Sequence, residues 1–160
     1  MISEPLRKLI SEQVGLELRA ERFYLLAANL AAKLGFDTFS EWLRCESHDE
    51  AKHSRHWTKL AEDMGVLIEA ELGPQDTQPA TLEATIQEAV QLEMLLLTHM
   101  NSIFIVALAE TCTPVLAFLF NGRKGYRPVT HQQKSISEWQ QMADRLKTQN
   151  IADIEAALTH

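Results

Sequence analysis

Glycine and proline are scarce in this 160-residue chain, at six and five residues. That excludes collagen-like, linker-rich and turn-rich β architectures, which depend on them. Val and Ile, which favour strands, number only 15 together. Basic residues are outnumbered: 15 Lys and Arg face 22 Asp and Glu, for a net charge of −7. The basic footprint of a nucleic-acid binder is missing, so no nucleic-acid partner is expected. Two cysteines, Cys45 and Cys112, are too few to staple a domain of this size. Reduced thiols and a cytoplasmic location are the expectation. The start, Met1-Ile2-Ser3-Glu4-Pro5, lacks the apolar stretch of a signal peptide. The most apolar run, 94–109, is interrupted by Thr98, His99, Asn101 and Ser102. It is therefore not read as a membrane span, and no membrane partner is expected. A helix this apolar on most sides points to a partner surface beyond one bundle core.

What is abundant is Leu, 22 residues, and Ala, 18 residues. Both are strong helix formers. The expectation is one all-α domain over 1–160. Ser3 starts a first helix that Gly35 stops near Leu34. Asp37 reads as the cap of a second, ending near Met64 at Gly65. Thr81 reads as the cap of a third, reaching about Thr111. Thr113-Pro114 reads as a cap with Pro at the first helical position, followed by an apolar piece, 115–120. The segment Asn121-Gly122-Arg123-Lys124-Gly125-Tyr126-Arg127-Pro128 breaks the pattern. A fourth long helix is expected over about 129–147 and a short one over 151–158. The short link between the first two long helices makes them antiparallel neighbours. The segment 66–79, at roughly 3.3 Å per residue, reaches the full length of a bundle. It can set the third helix parallel to the second, giving a four-helix bundle with one long crossover.

Each helix shows an inward stripe, and the polar interruptions of those stripes carry the chemistry. The second helix reads Phe39, Leu43, Glu46, Glu50, His53, Trp57, Leu60, Met64, with steps alternating between four and three. The first reads Leu9, Gln13, Glu17, Ala20, Tyr24, Ala27, Ala31, Leu34. The third reads Leu82, Ile86, Ala89, Glu93, Leu96, Met100, Ile103, Ala107. The fourth carries Gln132, Ser135 or Ile136, Trp139, Ala143 and Leu146. Buried carboxylates are costly unless paired, hydrogen-bonded or metal-bound. Glu17, Glu50, His53 and Glu93 lie near mid-helix on three helices. Such an oxygen and nitrogen donor set suits divalent iron or a similar ion. The Glu50-x-x-His53 step puts both groups on one helical face. One such step is no more than composition supplies. The coincidence of four polar interruptions at compatible depths is what points to a dinuclear metal site; core salt bridges are the competing reading.

At these residues the sequence resembles the ferritin family, most closely the non-haem bacterial ferritins. The matching text is Leu16-Glu17-Leu18 with Tyr24, then Glu46-x-x-Asp49-Glu50-Ala51-Lys52-His53 with Trp57-x-x-Leu60, then Glu93, then Gln132 and Asp144-Arg145-Leu146. The resemblance implies a di-iron ferroxidase centre that oxidises Fe(II) with dioxygen for iron storage or detoxification. By analogy Glu17 and His53 hold one iron, Glu93 and Gln132 approach the second, and Glu50 bridges them. Tyr24 hydrogen-bonds to the site or supplies an electron. A homo-oligomeric cage, of up to 24 subunits, is also implied.

The departures are specific. Where cavity-side acids are expected, the second helix keeps Asp49, while the fourth offers His131 and Ser135. Arg123, Lys124 and Arg127 stand near an expected acidic channel. Ala51 and Lys52 fill the place of a haem-binding Met, so no haem is expected. A one-residue shift of the last long helix would bring His131 inward in place of Gln132. Two further functions compete with the ferroxidase. One is a binding or structural bundle with a partial metal site and no mineral storage. The other is a di-iron oxidase of organic substrates, disfavoured because a second Glu-x-x-His is missing.

Overall fold

A computed structural model describes residues 2–70 and 78–158. Its helices are α1 (Glu4–Lys33), α2 (Asp37–Asp63), α3 (Leu82–Ala109), α4 (Thr113–Asn121), α5 (Pro128–Arg145) and α6 (Ile151–Ala156). No strand occurs among the described residues; a single bridge joins Arg123 and Tyr126. The architecture is the expected four-helix bundle, formed by α1, α2, α3 and α5.

Two apolar clusters fix the direction of each helix. One holds Ala20, Tyr24, Phe39, Leu43, Leu82, Ile86 and Trp139; the other holds Leu6, Ile10, Trp57, Leu60, Met100, Ile103 and Phe118. Helix α1 runs from the second cluster to the first, and α2 runs back. Helix α3 starts in the first cluster, parallel to α2, and α5 returns antiparallel to α3, against which it packs. The chain must cross the bundle between α2 and α3. Val66, Ile68 and Ala70 pack on the second cluster, whereas Gln78 Nε2 donates to the Leu26 carbonyl, 3.3 Å away, toward the other end. The middle of this crossover, 71–77 with Gly73 and Pro74, lies outside the described residues.

The seams are close to the expected ones. All eight α3 stripe residues are buried. On α1 the stripe begins at Leu6 and Ile10, while Leu9 is half-buried and Leu34 is exposed. Leu34 falls at the helix end, where Gly35 turns the chain outward with φ +83°. Ser3 caps α1 and Thr81 caps α3 through their hydroxyls, which accept from Leu6 N and Ala84 N.

Four termini correct the sequence reading. Asp37 does not cap α2; it is the first helical residue, and Phe36 precedes it without a side-chain bond. The orphan donor at Phe39 N is satisfied instead by Glu155 Oε2 of α6 at 2.9 Å. Helix α6, held by an Asn150/Asp153 capping box, thus seals the first cluster with Ile151 and Ile154 and caps α2 as well. Thr113 is helical rather than a cap, with Cys112 before it. The last long helix ends at Arg145 and the terminal one at Ala156, short of 147 and 158. Such one- or two-residue differences are ordinary at helix ends.

The break before α5 has its own geometry. Arg123 and Tyr126 exchange both backbone hydrogen bonds, at 2.9 and 3.0 Å. Lys124 and Gly125 between them have φ of 48° and 85°. Positive φ at both central residues is the signature of a tight hairpin turn. Arg123 is tied to Asp63 at the end of α2. The segment is therefore a folded arm, and it carries Tyr126 into the bundle, where it is 5% exposed.

Candidate metal centre

Mid-bundle, the four long helices each place polar side chains in the seam between the two apolar clusters. Glu17, Glu50, Glu93 and Gln132 are all buried. Glu17, Glu50 and His53 each offer one ligand atom, and these atoms lie within 4.8 Å of one another. His53 Nδ1 stands 3.1 Å from Glu50 Oε2 and 3.7 Å from Glu17 Oε2. Glu17 Oε1 accepts from Gln13 Nε2 at 3.1 Å. Glu17 Oε2 is buried and has no hydrogen-bond partner. An orphaned carboxylate oxygen facing an imidazole and a second carboxylate is what a cation-binding seat looks like without its cation.

On the other side of Glu50 lies a second linked group. Tyr24 OH donates to Glu93 Oε1, and Gln132 Nε2 donates to Glu93 Oε2. Gln132 Nε2 also reaches the Glu93 carbonyl at 2.9 Å. Tyr24 is held flat against Trp139, with ring centroids 5.5 Å apart and planes 5° from parallel. Glu50 is near both groups, and the charges of Glu93 and Glu17 both act on it. Of the two candidates on α5, Gln132 is the one that meets Glu93. His131 is half-buried, and its Nδ1 lies 3.1 Å from the Arg127 backbone.

The electrostatics show the strain of so much negative charge. Burial, then the charges of Glu93 and Glu17, push Glu50 well above the usual carboxylate range. Burial raises Glu93 to about 6 against the lowering effect of its bonds from Tyr24 and Gln132. Burial would raise Glu17 too, but His53, Glu50 and Gln13 outweigh it and hold its carboxyl low. Burial and the charges of Glu93 and Glu50 drive the Tyr24 phenol upward. The shifts thus run in opposite directions, favouring the charged form of Glu17 and disfavouring that of Glu50.

Glu46, one turn before Glu50, is raised to about 8 by burial, with Glu93, Glu138 and Asp49 adding to the effect and Lys134 opposing it. A carboxyl raised from 4.5 to about 8 binds more protons folded than unfolded across that window. Stability then falls as pH rises through it, by up to about 1.4 kcal/mol per unit. The lowered Glu17 acts only below 4.5 and does not oppose this trend. The metal-free protein should therefore need more urea to unfold at pH 5 than at pH 8. Glu50 and Glu93, also raised, act in the same direction, so Glu46→Gln should reduce that slope without removing it, and an unchanged slope would show that Glu46 does not contribute.

One residue at the site was not legible in the sequence. Tyr126 stacks on His53 with centroids 4.2 Å apart and planes 11° from parallel. It also accepts from Trp57 Nε1 at 3.2 Å. The hairpin arm thereby covers one face of the His53 ring. Only the Lys124-Gly125 turn signal followed by a lone aromatic hinted at it.

No family model and no curated protein matches the sequence. The solved structures do match. An open-pore ferritin from the hyperthermophilic archaeon Archaeoglobus fulgidus superposes with a TM-score of 0.84 at 16% identity, over 98% of this chain and 93% of that one. A humanized archaeal ferritin gives 0.84 at 18% identity, over 98% and 92%. An engineered closed form of the Archaeoglobus fulgidus ferritin gives 0.81 at 19% identity, over 100% and 99%. The chain has the ferritin fold. At these identities the likeness speaks for the backbone, and the site must be argued from its own residues. In this chain the arm that follows α4 puts Tyr126 beside His53.

Proposed function

We propose that this chain binds Fe(II) at the mid-bundle centre and oxidises it with dioxygen, for iron storage or detoxification. The observation that carries the reading is the unpartnered Glu17 Oε2 facing His53 and Glu50. Glu17 and His53 take one Fe(II), Glu50 lies between two, and Glu93 with Gln132 serves the second. Each of the two Fe(II) ions gives one electron to dioxygen. The clustered carboxylates offset the charge that oxidation adds. Tyr24 holds Glu93 in place from above. In this reading the whole of 1–160 acts as one cytoplasmic unit.

A homo-oligomer belongs to the same proposal. Ile105 is 64% exposed and Leu108 56%, on a face of α3 that also carries Met94 and Leu95. By length and composition alone α3 could cross a membrane, yet it buries Glu93 and its full stripe inside the bundle. Its remaining apolar face suits other copies of the chain. A second reading, a metal-binding bundle without mineral storage, draws on His131 and Ser135 standing where cavity acids are expected.

Rapid mixing of the apo-protein with two Fe(II) per chain in air tests the reaction. A fast transient followed by ferric absorbance supports the proposal, whereas oxidation no faster than in buffer overturns it. Loading with excess Fe(II), followed by gel filtration, then separates storage from binding alone.

A further inference from the structure

A line of hydrogen bonds runs from the protein surface to the buried Glu17, and it enters between α1 and α3 rather than through the proposed iron ligands. Glu12 Oε2, at the exposed rim, lies 3.1 Å from His99 Nε2. His99 Nδ1 lies 2.9 Å from Gln13 Oε1. Gln13, fully buried, donates from Nε2 to Glu17 Oε1 at 3.1 Å. Gln13 and Glu17 sit one turn apart on α1, and His99 approaches from α3. The chemistry of each link fixes the next. A carboxylate oxygen can only accept, so Gln13 must present its amide nitrogen to Glu17. That turns Gln13 Oε1 toward His99, which must donate from Nδ1. Glu12 engages the opposite ring nitrogen and holds the imidazole plane.

The result is asymmetric. Glu17 Oε1 is taken by Gln13, while Oε2 is buried, makes no hydrogen bond and lies 3.7 Å from His53 Nδ1. We propose that Gln13, oriented by His99, is a positioning residue that restricts Glu17 to a one-oxygen ligand of the bound cation. A carboxylate left free to turn would chelate with both oxygens. It would then fill the coordination position that an incoming reactant needs. Partners behind a metal ligand set its orientation in this way. The inference rests on the metal-binding reading above, but it concerns residues outside the proposed ligand set.

The test uses the full chain and Co(II) as the probe, read by its visible absorption band and by titration. Gln13→Leu and His99→Leu should each weaken Co(II) binding by about 10–100-fold, the range seen when outer-shell partners are lost. Both should also weaken the band per bound ion as the metal gains an oxygen. His99→Gln restores a donor to Gln13 Oε1 and should return the band toward that of the parent. A purely structural role would leave the band of bound Co(II) unchanged. In the metal-free protein, the Gln13 side-chain amide should exchange slowly with solvent in the parent and faster in His99→Leu. A parent that takes up no Co(II) overturns both the metal reading and this inference. A parent that binds Co(II), with variants keeping its band, overturns the positioning role alone. Equal Gln13 amide exchange in parent and His99→Leu overturns the relay whether or not metal binds.

Discussion

Glu50→Gln should abolish rapid Fe(II) oxidation while making the metal-free protein more stable. The two effects share one cause. Glu50 is buried between Glu17 and Glu93, and their charges push its carboxyl well above the usual range. In the absence of a cation this crowding is a standing cost, set by desolvation and like-charge repulsion. An amide has the same shape and cannot ionise. Urea unfolding of the apo-protein at neutral pH should show a gain of about 0.5–2 kcal/mol, the size of a typical stabilising substitution. The amide also cannot sit as an anion between two cations, so oxidation should fall by more than about 100-fold, beyond the loss expected for an outer-shell partner. Adding Co(II) should reverse the stability order, because ligand binding stabilises only the chain that binds. If Glu50→Gln lowers apo stability or keeps the parent rate, Glu50 is a structural carboxylate. His53→Ala should lose the reaction as well, but it also uncovers the ring of Tyr126.

The seams were legible because they obey one period over many turns. On α2 the alternating steps placed Glu46, Glu50 and His53 on a single face, and Glu46 and Glu50 are buried there with His53 beside them. On α3 every stripe residue is buried. The α5 register was open between His131 and Gln132, because a helix with few apolar residues constrains its own rotation weakly. Contact with Glu93 on α3 fixes it. The cap of α2 was misread for a related reason. Asp37 is a good capping residue by type, but the donor at Phe39 finds Glu155, 116 residues away in sequence. His99 looked like a mere polar interruption of an apolar run. Its role depends on Gln13 and Glu12 across a helix interface, which no local pattern encodes.

Gly122→Ala should be among the most damaging small substitutions in the chain. Gly122 ends α4 with φ +71° and ψ −160°, a conformation open to glycine and strained for other residues. Strain of this kind costs about 1–3 kcal/mol by itself. The space is closed as well: a Cβ there would overlap the Tyr126 carbonyl, lying 2.6 Å from its carbon and 2.8 Å from Arg127 Cα. That carbonyl accepts the Arg123 N–H that closes the hairpin. The damage should therefore reach the proposed metal centre, because the same arm seats Tyr126 against His53 and Trp57. Gly125→Ala is the control. Its φ is +85°, but nothing lies within 4 Å of the added Cβ. It should cost the strain alone and leave Co(II) affinity near that of the parent. Gly122→Ala should unfold at clearly lower urea than Gly125→Ala, with altered Trp fluorescence and weaker Co(II) binding. Equal costs for the two alanines would mean that Tyr126 is not held by the close approach at Gly122, and that the arm is not part of the site.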